Sequence, residues 1–155
     1  MPDDKKLPVS LQLVGLTAVV VFCLSTISVF NLARVLWLRH DDVASLELSN
    51  QIEVFAPIVL YLVVCGASLF TFITLLFRTA SNAALICIAY LVLLLLFLSV
   101  QVVSLVLTYF ELPIPPQTFA VWLGVKVLYA AWLIGLLIKV WPNYSVKRTA
   151  AERLR

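Results

Sequence analysis

The sequence predicts an all-α fold, a membrane-spanning four-helix bundle with both termini in the cytosol. Of the 155 residues, 63% are hydrophobic and 12% are charged, whereas soluble domains carry about 25% charged residues. The apolar residues also fall in blocks long enough to cross a bilayer as helices, at about 11–30, 54–77, 83–110 and 119–141. These blocks do not alternate apolar and polar residues as the strands of a transmembrane β-barrel do.

The first predicted helix, 11–30, follows Lys5 and Lys6. A signal peptide can begin in the same way, but its apolar core is shorter and a cleavage site of small residues follows it, which is not found here. We therefore expect a retained helix that can continue to Leu38. The polar loop after it has loose helical spacing behind a pair of aspartates, which predicts a short interfacial helix.

The second and third predicted helices are joined by the short link RTASN. The second, 54–77, contains Pro57 in its expected first turn, where a proline leaves no intrahelical hydrogen bond unmade. The third, 83–110, would be about 42 Å long at the helical rise of about 1.5 Å per residue. Because this exceeds the hydrocarbon core of a bilayer, the helix must tilt or extend beyond the core.

The fourth predicted helix, 119–141, begins after three prolines that end the third helix. Residues 1–144 are expected to form a single four-helix transmembrane domain, and residues 145–155 a basic, poorly ordered cytosolic tail. Each basic residue of the tail would gain about 1 kcal/mol beside an anionic lipid surface. Anionic lipid is therefore an expected partner of the tail.

The basic residues at the helix ends predict the orientation, because cytosolic loops carry an excess of lysine and arginine. With both termini inside, two basic residues, Arg34 and Arg39, lie on the outer side. Eight lie at the cytosolic ends: Lys5, Lys6, Arg78, Lys139, Lys147, Arg148, Arg153 and Arg155. The chain is therefore expected to cross the membrane four times with its N and C termini in the cytosol.

Lys126 is a cation inside the fourth predicted helix, and such a residue indicates a functional site by default. It lies seven residues after Phe119, or about 10 Å below the outer end of that helix. From there its side chain can extend toward the headgroups, and Trp122, one turn before it, can lie over the ammonium. We favour this snorkelling over a working site, and both interpretations stay open.

Gln101, Ser104, Thr108 and Glu111 recur at steps of three, four and three residues, which places them on one stripe of the third helix. Together with Lys126 and Glu53 they form the candidate polar seam, in the outer half of the bundle. One hypothesis is an outward-facing pocket in which Lys126 meets Glu111 or Glu53. The favoured alternative is interhelical hydrogen bonding without a ligand, worth about 0.6 kcal/mol per contact.

Small residues mark a second face of the fourth helix. Gly124, Ala131 and Gly135 lie on one side of it, nearly opposite Lys126. Small residues allow two helix backbones to approach closely in a membrane. These three residues therefore predict a helix-packing face, either inside the bundle or with another copy.

Several kinds of chemistry lack their usual residues. Cys23, Cys65 and Cys87 lie in different apolar runs without a CxxC pair, which favours apolar packing. His40 is the single histidine and lies in a charged loop, and four glycines form no phosphate-binding loop. The first helix lacks the buried carboxylate expected of a small four-helix multidrug exporter. We expect no enzyme, no cofactor, no metal and no nucleic-acid partner.

Two segments carry a resemblance to known proteins. LLFRTASN, at the link, and LIKVWPNYSVKRTA, at the cytosolic exit, resemble a bacterial family of four-helix inner-membrane proteins known only as a domain of unknown function. The resemblance implies a multi-pass protein of the bacterial inner (cytoplasmic) membrane, and it implies no functional residue. The ending NYSVKRTAAERLR is also similar to the tails of small bacterial proteins encoded in mobile gene cassettes.

These observations favour a non-enzymatic accessory or interaction protein, with a homo-oligomer or another membrane protein as its partner. The alternative is a small oligomeric transporter or channel-like protein that uses the candidate polar seam. A pathway needs a wet polar line across the whole bilayer, and the inner half contains chiefly Ser68, Thr71 and Thr74. The interaction role is therefore preferred.

Overall fold

The computed structural model of the protein describes residues 7–44, 48–77, 83–111 and 115–152. For residues 41, 42, 48–50, 53, 111 and 143–152 it describes the backbone alone. Within these ranges the chain forms five helices: α1 (Val9–Leu38), α2 (His40–Ala44), α3 (Leu48–Phe77), α4 (Ala83–Glu111) and α5 (Pro116–Glu152).

Four of the helices are long and apolar enough to cross a membrane. The segments with this property are Val9–Leu38, Val54–Phe77, Ala83–Phe110 and Pro116–Pro142. The predicted all-α class and the predicted number of such helices are confirmed. The prediction that the four helices form one bundle stays a prediction.

The start of α3 differs from the sequence-based prediction. The helix begins at Leu48 rather than near residue 54, so Pro57 lies in its interior and not in its first turn. The difference arises because hydropathy marks where a helix becomes apolar, whereas the backbone of α3 is already helical over the more polar residues 48–53. Pro57 has no N–H, so the carbonyl at residue 53 loses its usual intrahelical bond. The polar loop for which a short interfacial helix was predicted contains α2 and the first residues of α3, and its position at a membrane interface stays a prediction.

The end of α5 also differs from the prediction. The helix does not stop at Trp141 but continues past Pro142 to Glu152, so the backbone of residues 145–152 is helical rather than poorly ordered. This stretch contains lysine, arginine, alanine and glutamate, which are among the best helix formers. Local propensity therefore extends the helix beyond the segment that hydropathy identifies.

One compact unit covers Gly15–Phe77 and contains α2, α3 and most of α1. A Cβ built on Gly15 would lie 3.4 Å from Leu75 Cδ1, and Thr26 Oγ1 lies 3.5 Å from Cys65 Sγ. The earlier residue of α1 thus meets the later residue of α3, so the two helices run antiparallel. Five buried polar residues belong to this pair of helices: Thr17, Ser25, Ser68, Thr71 and Thr74.

The second compact unit contains α4 and α5 together with the first residues of α1. On α4 the buried positions follow steps of three and four residues, through Ala84, Cys87, Leu91, Leu94 and Leu98. On α5 the buried residues Leu133, Leu136 and Val140 have the same spacing. This is the repeat of helices that pack side by side with interlocking side chains.

Candidate functional site

A hydrogen bond between charged and polar side chains links α4 to α5. Lys126 Nζ donates to Gln101 Oε1 at 2.6 Å, and both residues are partly buried. Each residue continues the spacing of the buried residues on its own helix, since Gln101 follows Leu98 by three positions and Lys126 precedes Leu133 by seven. The pair therefore occupies core positions of the α4/α5 interface.

Two contacts fix the register of α4 and α5. Besides the bond between Gln101 and Lys126, the rings of Tyr109 and Phe119 lie with centroids 4.2 Å apart. The helices are therefore antiparallel, and lysine and glutamine stand at the same level.

The same register explains which apolar residues are buried. It places Leu94 level with Leu133, and Leu91 level with Leu136, and all four side chains are at most 2% exposed. Cys87 and Val140, both fully buried, form the next level. The α4/α5 interface is thus apolar toward the residue 83 end of α4 and polar near Gln101.

Lys126 lies near the middle of the membrane-compatible segment of α5. The membrane-compatible segment of α5 runs from Pro116 to Pro142, and its midpoint is residue 129. Lys126 is three residues from that midpoint, or about 5 Å along the axis. Its ammonium bonds to Gln101 of α4. The preference for snorkelling over a working site stays a prediction.

The other members of the candidate polar seam are not brought to Lys126 within the described side chains. Ser104 is exposed, and Thr108 Oγ1 donates to the backbone carbonyl of Ser104 at 2.8 Å. The side chains of Glu53 and Glu111 lie outside the described residues, as do those of all eight acidic residues of the chain. Of the predicted seam, the structure thus joins Gln101 and Lys126.

Tyr129 lies one turn after Lys126 on the same side of α5. Its hydroxyl oxygen is buried and has no hydrogen-bond partner among the described residues. By the register of the two helices, the residue level with Tyr129 on α4 is Leu98, whose side chain has no hydrogen-bonding group. An unpaired buried hydroxyl is destabilising by about 1–3 kcal/mol. Tyr129 was not among the predicted site residues, although its three-residue spacing from Lys126 places it on the same face.

The predicted helix-packing face of Gly124, Ala131 and Gly135 is not the side of α5 that packs on α4. The structure buries the nearly opposite side, at Leu133 and Leu136. A Cβ built on Gly124 or Gly135 would meet no atom within 4 Å, and Ala131 is exposed. This face is therefore open along α5 in the described part of the chain.

Hydroxyl side chains of α1 and α3 bond back to their own helices. Ser68 Oγ donates to the carbonyl of Val64 at 2.7 Å, and Thr71 Oγ1 to that of Ala67 at 2.8 Å. On α1, Thr26 and Ser28 make the corresponding bonds at 2.8 and 3.0 Å. These hydroxyls are satisfied without water or a ligand.

The three cysteines and the single histidine lie in different environments. Cys23 is exposed, Cys65 is partly buried and Cys87 is buried, and all three are free thiols. His40 is exposed, and its ring stacks on Trp37 with centroids 6.3 Å apart. No group of three or more metal-binding side chains occurs among the described residues.

Comparison with known proteins adds no relative: no family model matches the chain, and no curated protein or solved structure is similar to it. The chemistry of the chain must therefore be inferred from its own residues. Among those described, the bond between Lys126 and Gln101 is the feature that combines a charge, partial burial and a position near the middle of a membrane-length segment.

Proposed function

We propose that the protein is a multi-pass protein of the bacterial inner membrane, with four spanning helices, both termini in the cytosol and a non-enzymatic accessory or interaction role. The exposed surface supports the membrane part of this proposal. Trp37, Phe110 and Leu128 are 81%, 80% and 73% exposed. Large exposed apolar surfaces of this kind mark contact with lipid or protein.

The backbone bonding of the long helices supports the same conclusion. A spanning segment has to satisfy its own backbone polar groups because the hydrocarbon core contains no water. An α-helix of the length of α4 does so over its whole apolar segment, Ala83–Phe110. The proposed orientation follows from the eight basic residues at one set of helix ends against two at the other.

The interaction role is supported chiefly by the hydroxyl groups, which donate hydrogen bonds to carbonyls of their own helices. A transport pathway needs polar groups that face water across the whole bilayer. Ser68 and Thr71, which the transporter hypothesis needs in the inner half, are buried and donate to carbonyls of their own helix. Such bonds favour helix packing over conduction, so an interaction protein is the better explanation.

Topology is tested by cysteine labelling in intact cells. Single cysteines are placed at Thr79, Thr118 and Ala150 in a chain whose three native cysteines are replaced by alanine. A membrane-impermeant maleimide should label T118C in intact cells, and T79C and A150C only after permeabilisation. Labelling of T79C from outside would contradict the proposed orientation.

The interaction role is separated from transport by reconstitution. Purified protein in vesicles should give the same proton and potassium flux as protein-free vesicles. A flux that rises with the amount of protein and is lost in Lys126→Leu would contradict the proposal and establish the transporter. Leu128→Ala, at an exposed site on the same helix, is the matched control.

We also propose that anionic lipid binds the basic tail, on the basis of Lys147, Arg148, Arg153 and Arg155. Deletion of residues 145–155 should leave membrane insertion and folding intact, because the four apolar segments end before the tail. A deletion variant that remains in the soluble fraction would contradict the assignment of the tail as an addition to the membrane domain.

A further inference from the structure

The charge of Lys126 has no opposite charge at its depth anywhere in the chain. The four membrane-compatible segments, Val9–Leu38, Val54–Phe77, Ala83–Phe110 and Pro116–Pro142, contain no aspartate and no glutamate. A second copy of the protein therefore brings no carboxylate to this depth either. Intramembrane cations are costly and usually pair with an acidic group.

The acidic residues nearest to the ends of these segments are too far from Lys126 along the helix axes to pair with it. Glu111 follows Gln101 by ten residues, or about 15 Å along the axis of α4. Glu53 directly precedes the apolar segment of α3, whereas Lys126 lies ten residues into that of α5. With the proposed topology, both glutamates are at the outer membrane surface and Lys126 is near the middle.

Gln101 holds the ammonium but does not neutralise it. A lysine ammonium has three N–H donors, and Gln101 Oε1 is its one acceptor among the described residues. The amide is uncharged, so the positive charge remains uncompensated. Because Lys126 is only partly buried, the ammonium is held at a defined position and stays within reach of a neighbouring molecule.

We propose that Lys126, held by Gln101, is the docking position for a transmembrane helix of a different protein that carries an aspartate or glutamate near its middle. This inference rests on the proposed interaction role and names the chemistry of the partner. Lipid headgroups do not meet the requirement, because they lie about 15 Å from the midplane of a core about 30 Å thick. A carboxylate on a spanning helix supplies both the charge and the depth.

The proposal is tested with synthetic helices in lipid vesicles. The probe is a leucine- and alanine-rich peptide of about 20 residues, labelled with dansyl, with an aspartate near its centre. Control peptides carry asparagine or leucine at that position. Energy transfer from the tryptophans of the intact protein, two of which lie on α5 near Lys126 (Trp122 and Trp132), reports association without any change to the chain.

The aspartate peptide should half-saturate the protein at a peptide-to-lipid ratio about tenfold lower than the leucine peptide, equivalent to about 1.4 kcal/mol. Lys126→Met should remove this preference. Lys139→Met should retain it, because Lys139 is an exposed lysine at the cytosolic end of the same helix. The asparagine peptide should bind less tightly than the aspartate peptide because it carries no charge.

Coinciding curves for the aspartate and leucine peptides with the unaltered protein would overturn the proposal, and that comparison needs no variant to fold. A preference that survives in Lys126→Met would also overturn it. Either result would restrict the pair to fixing the register of α4 and α5. The interaction role would fail separately, through protein-dependent flux in the vesicle assay, so the two failures are distinguishable.

Discussion

The pair α1 and α3 and the pair α4 and α5 differ in the bonds of their buried polar side chains. In the first, small hydroxyls such as Ser68 and Thr71 bond to carbonyls one turn earlier on their own helix. In the second, Lys126 and Gln101 bond to each other across the interface. A hydroxyl that is satisfied locally carries no information about a neighbour, whereas a cross-helix bond fixes the register of both helices.

This difference has an energetic consequence. Removing a hydroxyl that bonds to its own helix leaves the carbonyl still bonded by the backbone, so little is lost. Removing one member of a cross-helix pair leaves the other member partly buried without its partner, and an unmet charge is the more costly case. Removing a hydroxyl that bonds within its own helix should therefore cost much less stability than removing Gln101 or Lys126.

The largest effect is expected from the apolar part of the α4/α5 interface. Leu133 is fully buried, and Leu133→Ala should lower the free energy of unfolding by about 2–5 kcal/mol, as buried leucines do in soluble proteins. Tryptophan fluorescence during titration of detergent-solubilised protein with SDS gives this quantity. Leu128→Ala, at a site 73% exposed, should change it by less than about 0.5 kcal/mol. Equal effects of the two substitutions would show that this interface is wrongly assigned.

A smaller effect is expected where α1 and α3 approach closely. Gly15→Leu should destabilise the protein by about 1–3 kcal/mol because a Cβ there already lies 3.4 Å from Leu75 Cδ1. Gly66→Leu is the control, since a Cβ at Gly66 meets no atom within 4 Å. The same SDS titration measures both, and destabilisation by Gly66→Leu alone would contradict the antiparallel register of α1 and α3.

Gln101→Leu tests the polar pair directly. The substitution introduces an apolar side chain of similar size and removes the acceptor of Lys126, so it should destabilise the protein by about 1–2 kcal/mol. Ser104→Ala, an exposed position one turn later on the same helix, should have no measurable effect. If Gln101→Leu does not change the free energy of unfolding, a lipid group or a water molecule in the detergent micelle replaces the amide as the acceptor of Lys126.

The smallest effect is expected from Thr71→Val in α3. Although Thr71 is buried, its hydroxyl donates to the carbonyl of Ala67 in its own helix and valine has a similar shape, so the loss should not exceed about 0.6 kcal/mol. The measurement is again the SDS midpoint. A loss as large as that of Gln101→Leu would contradict the expected difference between a bond within one helix and a bond between two helices.

Much of the fold follows from the sequence because long apolar blocks separated by charged links specify membrane-length helices. All four predicted segments are present, and the differences lie at the ends, at Leu48 and Glu152. Hydropathy measures compatibility with lipid, whereas the helical backbone extends through polar residues that keep good helix propensity. Helix ends in the polar regions therefore need information that hydropathy does not contain.

The site was only partly predictable. Lys126 and Gln101 were identified as polar residues in apolar segments, but their bond depends on the register of α4 against α5. In a soluble protein, the contrast between apolar and polar positions would indicate that register. Here nearly every position of both helices is apolar. The spacing of buried positions that includes Gln101 on α4 and Lys126 on α5 therefore cannot be distinguished in the sequence from the spacing of exposed positions.

A double-mutant cycle on Gln101 and Lys126 tests the central claim most directly. The unfolding free energies of the unaltered protein, Gln101→Leu, Lys126→Leu and the double variant give the coupling between the two side chains. A coupling of about 1 kcal/mol is predicted, within the range of polar contacts between membrane helices. Additive effects, with no coupling beyond the measurement error, would contradict the bond across the α4/α5 interface and the docking position built on it.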